Sequence, residues 1–287
     1  MPFGDCFGPA AHKALQGLAM TGLETQTLKL LNIQTFNSMR SIILVFAACI
    51  FVTCSKAQNN NNGQQMKPEE TEVWEPVPKV VTPGTSTNTA PGDAIVLFDG
   101  SNLNQWEAEK GGAPGWEVKD GAATVVKGTG GIKTKQTFED FQLHIEWRTP
   151  AEVIGESQGR GNSGIFMMGL YELQVLDNYN NRTYSNGQAG SFYKQRIPLV
   201  NVCKKPGEWQ TYDVIWTAPR FNADGSLKSP ARATVLQNGV LVQNNVELDG
   251  PTQYIGKPAY KQHGPGPIAL QDHGNPVSYR NIWIRTL

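Results

Sequence analysis

The chain has no net charge to offer a partner, because 25 Lys and Arg balance 25 Asp and Glu over 287 residues. That balance excludes a global field able to gather nucleic acid or an anionic bilayer, so neither is expected as a partner. Charge is also scarce in total, at 17% of residues. Cysteine is scarcer still: Cys6, Cys49 and Cys54 lie in or before one N-terminal apolar segment, and Cys203 stands alone in the body. A lone cysteine excludes a disulfide framework and paired zinc ligands there. With no His after it in a protease context, Cys203 is expected to be packed rather than nucleophilic. A run long enough to span a bilayer is missing as well, since the apolar stretch over 42–52 is too short. From Ala94 onward no stripe of helical period appears either. What the chain has in plenty is Gly (30) and Pro (18), which suits many short strands joined by tight turns.

Met39-Arg40, the apolar run and the small residues that follow read as an export signal over 39–57. Met39 is then the expected start, and 1–38 an extension ahead of it. Cutting at Cys54 makes that residue a lipid-bearing N-terminus, whereas cutting after Ala57 releases a soluble protein. Cys49 has the better Ala47-Ala48 context but a shorter apolar run before it. Each choice leads to the bacterial cell envelope, periplasmic or lipid-anchored, with a membrane met only through the lipid. Residues 58–92 are poor in core formers and rich in Asn, Thr, Pro and Gly, so they are expected to be a disordered linker, with 74–81 as an extended arm.

From 93 to 287 the expectation is all-β. Period-2 runs fall at 95–98, 123–126, 141–148, 164–168, 171–176, 210–217, 231–237, 240–243, 268–271 and 279–285. So many short strands in one stretch predict a sandwich or jelly roll. Asn238-Gly239 between two of them predicts a two-residue hairpin turn. Two glycine-rich segments are decoys. Gly159 to Gly164 fits G-x-G-x-x-G but runs into a strand rather than a helix, and 128–134 lacks the Gly before Lys133 that a phosphate loop needs.

Alternation sends Leu143, Ile145 and Trp147 to one face of their strand and His144, Glu146 and Arg148 to the other. It likewise separates Tyr171, Leu173 and Val175 from Glu172 and Gln174. Gln271 and His273 follow at the end of another strand, with Asp272 in the same polar turn, and Arg280 sits on the last. If these strands were neighbours in one sheet, Glu146, Arg148, Glu172, Gln174, Gln271, His273 and Arg280 would converge on one concave patch. The plain alternative is a solvated sheet face with ion pairs. Two acids, a His, two amides and two Arg suit a sugar site, since amides and carboxylates pair with hydroxyls and Tyr179, Tyr184, Phe192 or Tyr193 could stack on a pyranose ring.

The segments IVLFDGSNLNQW, FQLHIEWRTP, GRGNSGIFMMGLYELQVLDNYNN, KPGEWQTYDVIWTAPRF and LQDHGNPVSYRNIWIRTL resemble the 3-keto-disaccharide hydrolase domain family. The resemblance spans 93–287 and implies a concanavalin-A-like jelly roll. It also implies cleavage of glycosides already oxidised at C3 by a separate sugar 3-oxidoreductase, the functional partner. A C3 ketone acidifies the C2 hydrogen, so a base can remove it, the C1 substituent can leave, and water can add. On the patch, Glu146 or His273 is the expected base and Glu172 the acid. Arg148 with Gln271, or a divalent metal held by Asp272, His273 and Glu146, is expected at the enolate. Gln174, Arg280, Asp177 and Tyr193 complete the expected substrate contacts. The competing expectations are a lectin-like module that binds sugar without turnover, and an ordinary glycosidase using Glu146 and Glu172 as its carboxylate pair.

Overall fold

The computed structural model describes residues 66–287. The export segment, with Cys49, Cys54 and Ala57, lies outside the described residues. The chain divides after Val77. In the first unit, the described residues 66–77 are exposed and hold one 3-10 turn, Pro68–Thr71.

The second unit is the expected jelly-roll sandwich. Its larger sheet has eight strands. They are β1 (Ile95–Phe98), β3 (Glu117–Lys119), β4 (Ala122–Thr124), β6 (Phe141–Arg148), β9 (Gln210–Thr217), β12 (Arg232–Gln237), β13 (Val240–Glu247) and β15 (Ser278–Thr286). The smaller sheet runs in the order β2 (Trp106–Ala108), β5 (Ile132–Thr134), β14 (Ala269–Leu270), β7 (Ser163–Met167) and β8 (Tyr171–Val175). A ribbon of β10 (Arg220–Phe221) and β11 (Leu227–Ser229) stands apart. All pairings are antiparallel. The predicted hairpin joins β12 to β13, with Asn238 at φ 53° and Gly239 at φ 78°, which the strand twist favours.

The apolar faces of the two sheets meet. The Tyr171 ring lies 5.1 Å from that of Trp216, Tyr279 Oη donates to Ser163 Oγ at 2.7 Å, and Tyr212 Oη donates to the Gln174 carbonyl at 2.8 Å. Trp147, Trp216, Leu143, Ile165 and Leu173 are fully buried between the sheets. Each such side chain contributes roughly 1.5–3 kcal/mol by leaving water. Cys203 is partly buried against this core, and its Sγ accepts from Gln237 Nε2 at 3.3 Å.

This layering corrects the single-patch expectation. The inward residues of β6 are 143, 145 and 147, and those of β8 are 171, 173 and 175, but the two strands belong to facing sheets. Their outward residues therefore point in opposite directions. Glu146, Arg148 and Arg280 lie on the outside of the eight-stranded sheet, and Glu172, Gln174 and Gln271 on the outside of the five-stranded one.

Within the second unit, the segment after Val80 settles on the larger sheet. There the Asn88 carbonyl accepts from Asn281 Nδ2 at 2.8 Å and from Trp283 Nε1 at 3.2 Å.

Candidate active site

Outside the five-stranded sheet is a cleft of about 640 Å³, within the range of small-ligand sites. Its floor comes from β7 and β8. In the register of these strands Gly164 faces Gln174 and Phe166 faces Glu172. One wall is the 3-10 turn η2 (Ser157–Gly159) and the residues after it, and the other is the loop carrying Tyr184 and Tyr193.

Glu172 is 6% exposed, and no hydrogen bond reaches its carboxylate among the described residues. Burial without a compensating charge pushes its pKa up to about 8, so at neutral pH it is mostly a proton donor. Beside it, Gln174 Nε2 donates to Gln158 Oε1 at 3.2 Å and Asn162 Oδ1 at 3.3 Å. Those two amides are oriented by backbone carbonyls: Gln158 Nε2 donates to Gly187 O at 2.9 Å, and Asn162 Nδ2 to Gln158 O at 2.7 Å. The amide chain thereby fixes which end of Gln174 is the oxygen. Oε1 of Gln174 and Oε1 of Gln271 are buried without a donor among the described residues.

Tyr184 and Tyr193 pair their hydroxyls at 2.6 Å, and burial, then this bond, raises the Tyr193 phenol above its ordinary value. Tyr254 stands at the rim, where Lys194 Nζ donates to its carbonyl at 2.6 Å and lies 4.3 Å from its ring. His273 lines the cleft from the turn after β14 and is exposed. Asp272 anchors that turn: its Oδ2 accepts from the Gly128 and Gly130 amides at 2.7 and 3.1 Å, and its Oδ1 from Gly274 at 2.8 Å.

The expected metal set does not form. Asp272 spends its oxygens on backbone amides, Glu146 is on the other sheet, and among the described residues no three His, Cys, Asp or Glu are grouped to hold an ion. The carboxylate pair fails for the same reason, since among the described residues Glu172 is the only acid lining the cleft. Asp177 is displaced as well. It pairs with Arg160 Nε at 2.6 Å and lines a neighbouring hollow of about 250 Å³. Of the aromatic candidates, Phe192 is buried against Trp216 and Tyr179 gives Arg160 its carbonyl, leaving Tyr184 and Tyr193 in the cleft.

Sequence reasoning missed Gln158, Asn162, Phe166, Thr252 and Tyr254. Alternation along 163–167 places Phe166 on the face of Glu172 once β7 and β8 are paired. The other four come from the η2 turn and from loops, where no period of two operates.

Glu146 has a different environment. Its Oε2 accepts from Arg280 Nε at 2.6 Å and its Oε1 from Asn281 Nδ2 at 2.9 Å. His144 Nδ1 lies 2.7 Å from Asp213 Oδ1, and its Nε2 lies 3.8 Å from Glu146 Oε1. Burial alone would raise the Glu146 pKa, but the neighbouring His144 and the bonds from Asn281 and Arg280 outweigh it and hold the value near 2. Burial alone would also discharge His144, yet Asp213 and Glu146 hold it at about 9. The guanidinium groups of Arg280 and Arg148 lie 4.2 and 4.7 Å from the Trp209 ring, completing a closed ionic cluster.

With a proton-donating carboxyl, amide oxygens and phenols in one concave site, comparison with known proteins becomes informative. The model of the 3-keto-alpha-glucoside-1,2-lyase-like domain matches residues 93–285. The chain belongs to this family. It is similar to a 3-keto-disaccharide hydrolase from Bacteroides thetaiotaomicron, at 25% identity over 87% of this chain and all of that protein. A crystal structure from Parabacteroides distasonis, assigned provisionally to the glycosyl hydrolases, shares 57% identity and a TM-score of 0.75 over 78% of this chain and 98% of its own. A second one from that organism, at 21% identity and TM-score 0.51 over 68% of this chain and 94% of its own, shares the fold. Membership of the 3-keto-alpha-glucoside-1,2-lyase-like family, with these neighbours, makes the chain a carbohydrate hydrolase.

Proposed function

We propose that the protein cleaves 3-keto-glycosides in the bacterial cell envelope, with Glu172 as its acid and His273 as its base. His273 takes the C2 proton, and the electron pair moves into an enolate whose oxygen meets an O–H of the Tyr184–Tyr193 pair. The enolate then collapses: the C3 carbonyl re-forms, a C1–C2 double bond forms, and the C1–O bond breaks as the departing oxygen takes the Glu172 proton. Water adds at C1 while C2 regains a proton, so the net change is hydrolysis. The substrate has to come from an enzyme that oxidises a C3 hydroxyl, and export follows from the reading of 39–57 as a signal.

The single observation carrying this reading is Glu172, a carboxyl kept protonated near neutrality in a cleft with no second acid among the described residues. A lone acid suits elimination next to a ketone, where the C2–H is already acidified, better than displacement at an unactivated acetal. The two undonated amide oxygens beside it suit a polyol, which brings hydroxyl donors. The test is release of aglycone from a 3-keto-glucoside and from the same glucoside unoxidised. Turnover of the oxidised substrate alone, lost in Glu172→Gln and His273→Ala, is the expected result. Equal turnover of both, or binding without turnover, removes the proposal.

A further inference from the structure

Gly164 occupies the interior of β7, opposite Gln174 and on the face of Glu172. A glycine there weakens a strand, because it adds no packing and surrenders the most conformational freedom on folding. Its backbone does not call for glycine, since Gly164 is not among the residues with positive φ. Space does. A Cβ at this position would lie 2.6 Å from Glu172 Oε1, 3.1 Å from its Cδ and 3.0 Å from Cε2 of Phe166. The carboxyl therefore rests over the bare Cα of Gly164 with the Phe166 ring beside it, in a notch one methyl group deep.

We infer that Gly164 is a positioning residue: the side chain missing at this strand position forms the notch that fixes where the Glu172 carboxyl stands and keeps water from it. Its consequence for catalysis rests on the function proposed above, whereas the placement of the carboxyl does not. Tyr193 and Tyr279 feel the Glu172 charge, and Tyr184, Tyr254 and His273 line the same cleft. No Lys, Arg or Asp lines it among the described residues. Solvent exclusion at the notch is thus the main influence on this carboxyl, and one methyl group is enough to alter it.

Gly164→Ala keeps a backbone that any residue adopts, so the strand survives. Its methyl lifts the carboxyl toward open solvent. The Glu172 titration midpoint, followed by NMR on glutamate-labelled protein with Glu172→Gln to assign the signal, is expected to fall by about one unit or more. On a 3-keto-glucoside, kcat falls roughly 10- to 100-fold with KM little changed, as a displaced catalytic group would cause. Glu172→Asp, whose shorter side chain sits clear of the methyl, should lose little more when Gly164→Ala is added. An unchanged midpoint, or losses that simply multiply in the double variant, overturns the inference. If Gly164→Ala does not fold, Phe166→Leu opens the other side of the notch and must lower the midpoint in the same way. Failure of the wild type to turn over any 3-keto-glycoside would remove the proposed function, while the NMR midpoint still decides the notch.

Discussion

The two outer faces of this sandwich each bury a glutamate, and their surroundings drive the two carboxyls in opposite directions. On the eight-stranded sheet Glu146 is ringed by Arg280, Asn281 and His144 and sits near 2. On the five-stranded sheet Glu172 has burial and, among the described residues, no partner for its carboxyl, and sits near 8. Burial is shared, so the partners make the difference. A carboxylate held ionised by its partners has no proton to give near neutrality, whereas an unpaired one can exchange a proton at neutral pH. The cluster around Glu146 instead supports the Thr82–Gly92 segment, whose Asn88 carbonyl meets Asn281 and Trp283.

Exchanging the two glutamates for glutamine breaks the comparison most directly. Glu172→Gln should lower kcat/KM by about a thousandfold. It should also raise stability at pH 7 to 8, because the wild-type fold must keep a proton on Glu172 that the unfolded chain releases. Glu146→Gln should leave kcat/KM within about twofold but lower stability by on the order of 3 kcal/mol, since it leaves His144 and Arg280 short of a buried partner. Steady-state kinetics beside urea unfolding checks both, and equal loss of activity in the two variants would erase the distinction.

The pH dependence of stability separates the faces next. The raised His144 pKa contributes stability that is fully present below about 6.5 and lost as pH rises through about 9. The depressed Glu146 pKa contributes stability present above about 4.5 and lost as pH falls through about 2. The raised Glu172 pKa works against the fold, subtracting stability progressively from about 4.5 to about 8. Melting temperature should therefore be highest near about pH 4.5, falling below it as Glu146 is protonated and above it as Glu172 opposes ionisation. His144→Gln should flatten the fall toward pH 9, and Glu172→Gln the fall between 4.5 and 8.

Activity gives a milder contrast. Because the acid must be protonated, kcat should decline as pH rises through about 8, and Glu146→Gln should leave that limb where it is. The smallest effect is expected at Trp283→Phe, which removes the indole donor to Asn88. It should cost about 0.5–1.5 kcal/mol, show as faster amide exchange over 82–92, and leave turnover unchanged.

Much of the fold was legible because period 2 is a local property. In β9 and β12 the pattern reads directly, buried residues alternating with more exposed ones. In β6 and β8 the outward residues are buried too, under the ionic cluster on one and under the cleft loops on the other. Half of the expected site residues meet in the cleft, namely Glu172, Gln174, Gln271, His273 and Tyr193. Glu146, Arg148 and Arg280 belong to the opposite side, and Asp272 and Asp177 are spent on a turn and an ion pair. Gln158 and Asn162 escaped notice within a glycine-rich stretch that was informative only about what it is not.

The amino-acid order alone determines which side chains share a face of each strand, where the turns fall, and that the body is all-β, because these depend on neighbours two to four residues apart. It does not determine which sheet a strand joins. β6 pairs with β9 and β15, and β8 with β7, through contacts distant along the chain or folded back from it. Sheet membership decides whether two outward glutamates meet or face away from each other, and so only the tertiary structure could place Glu172 in a cleft and Glu146 in a closed ionic cluster.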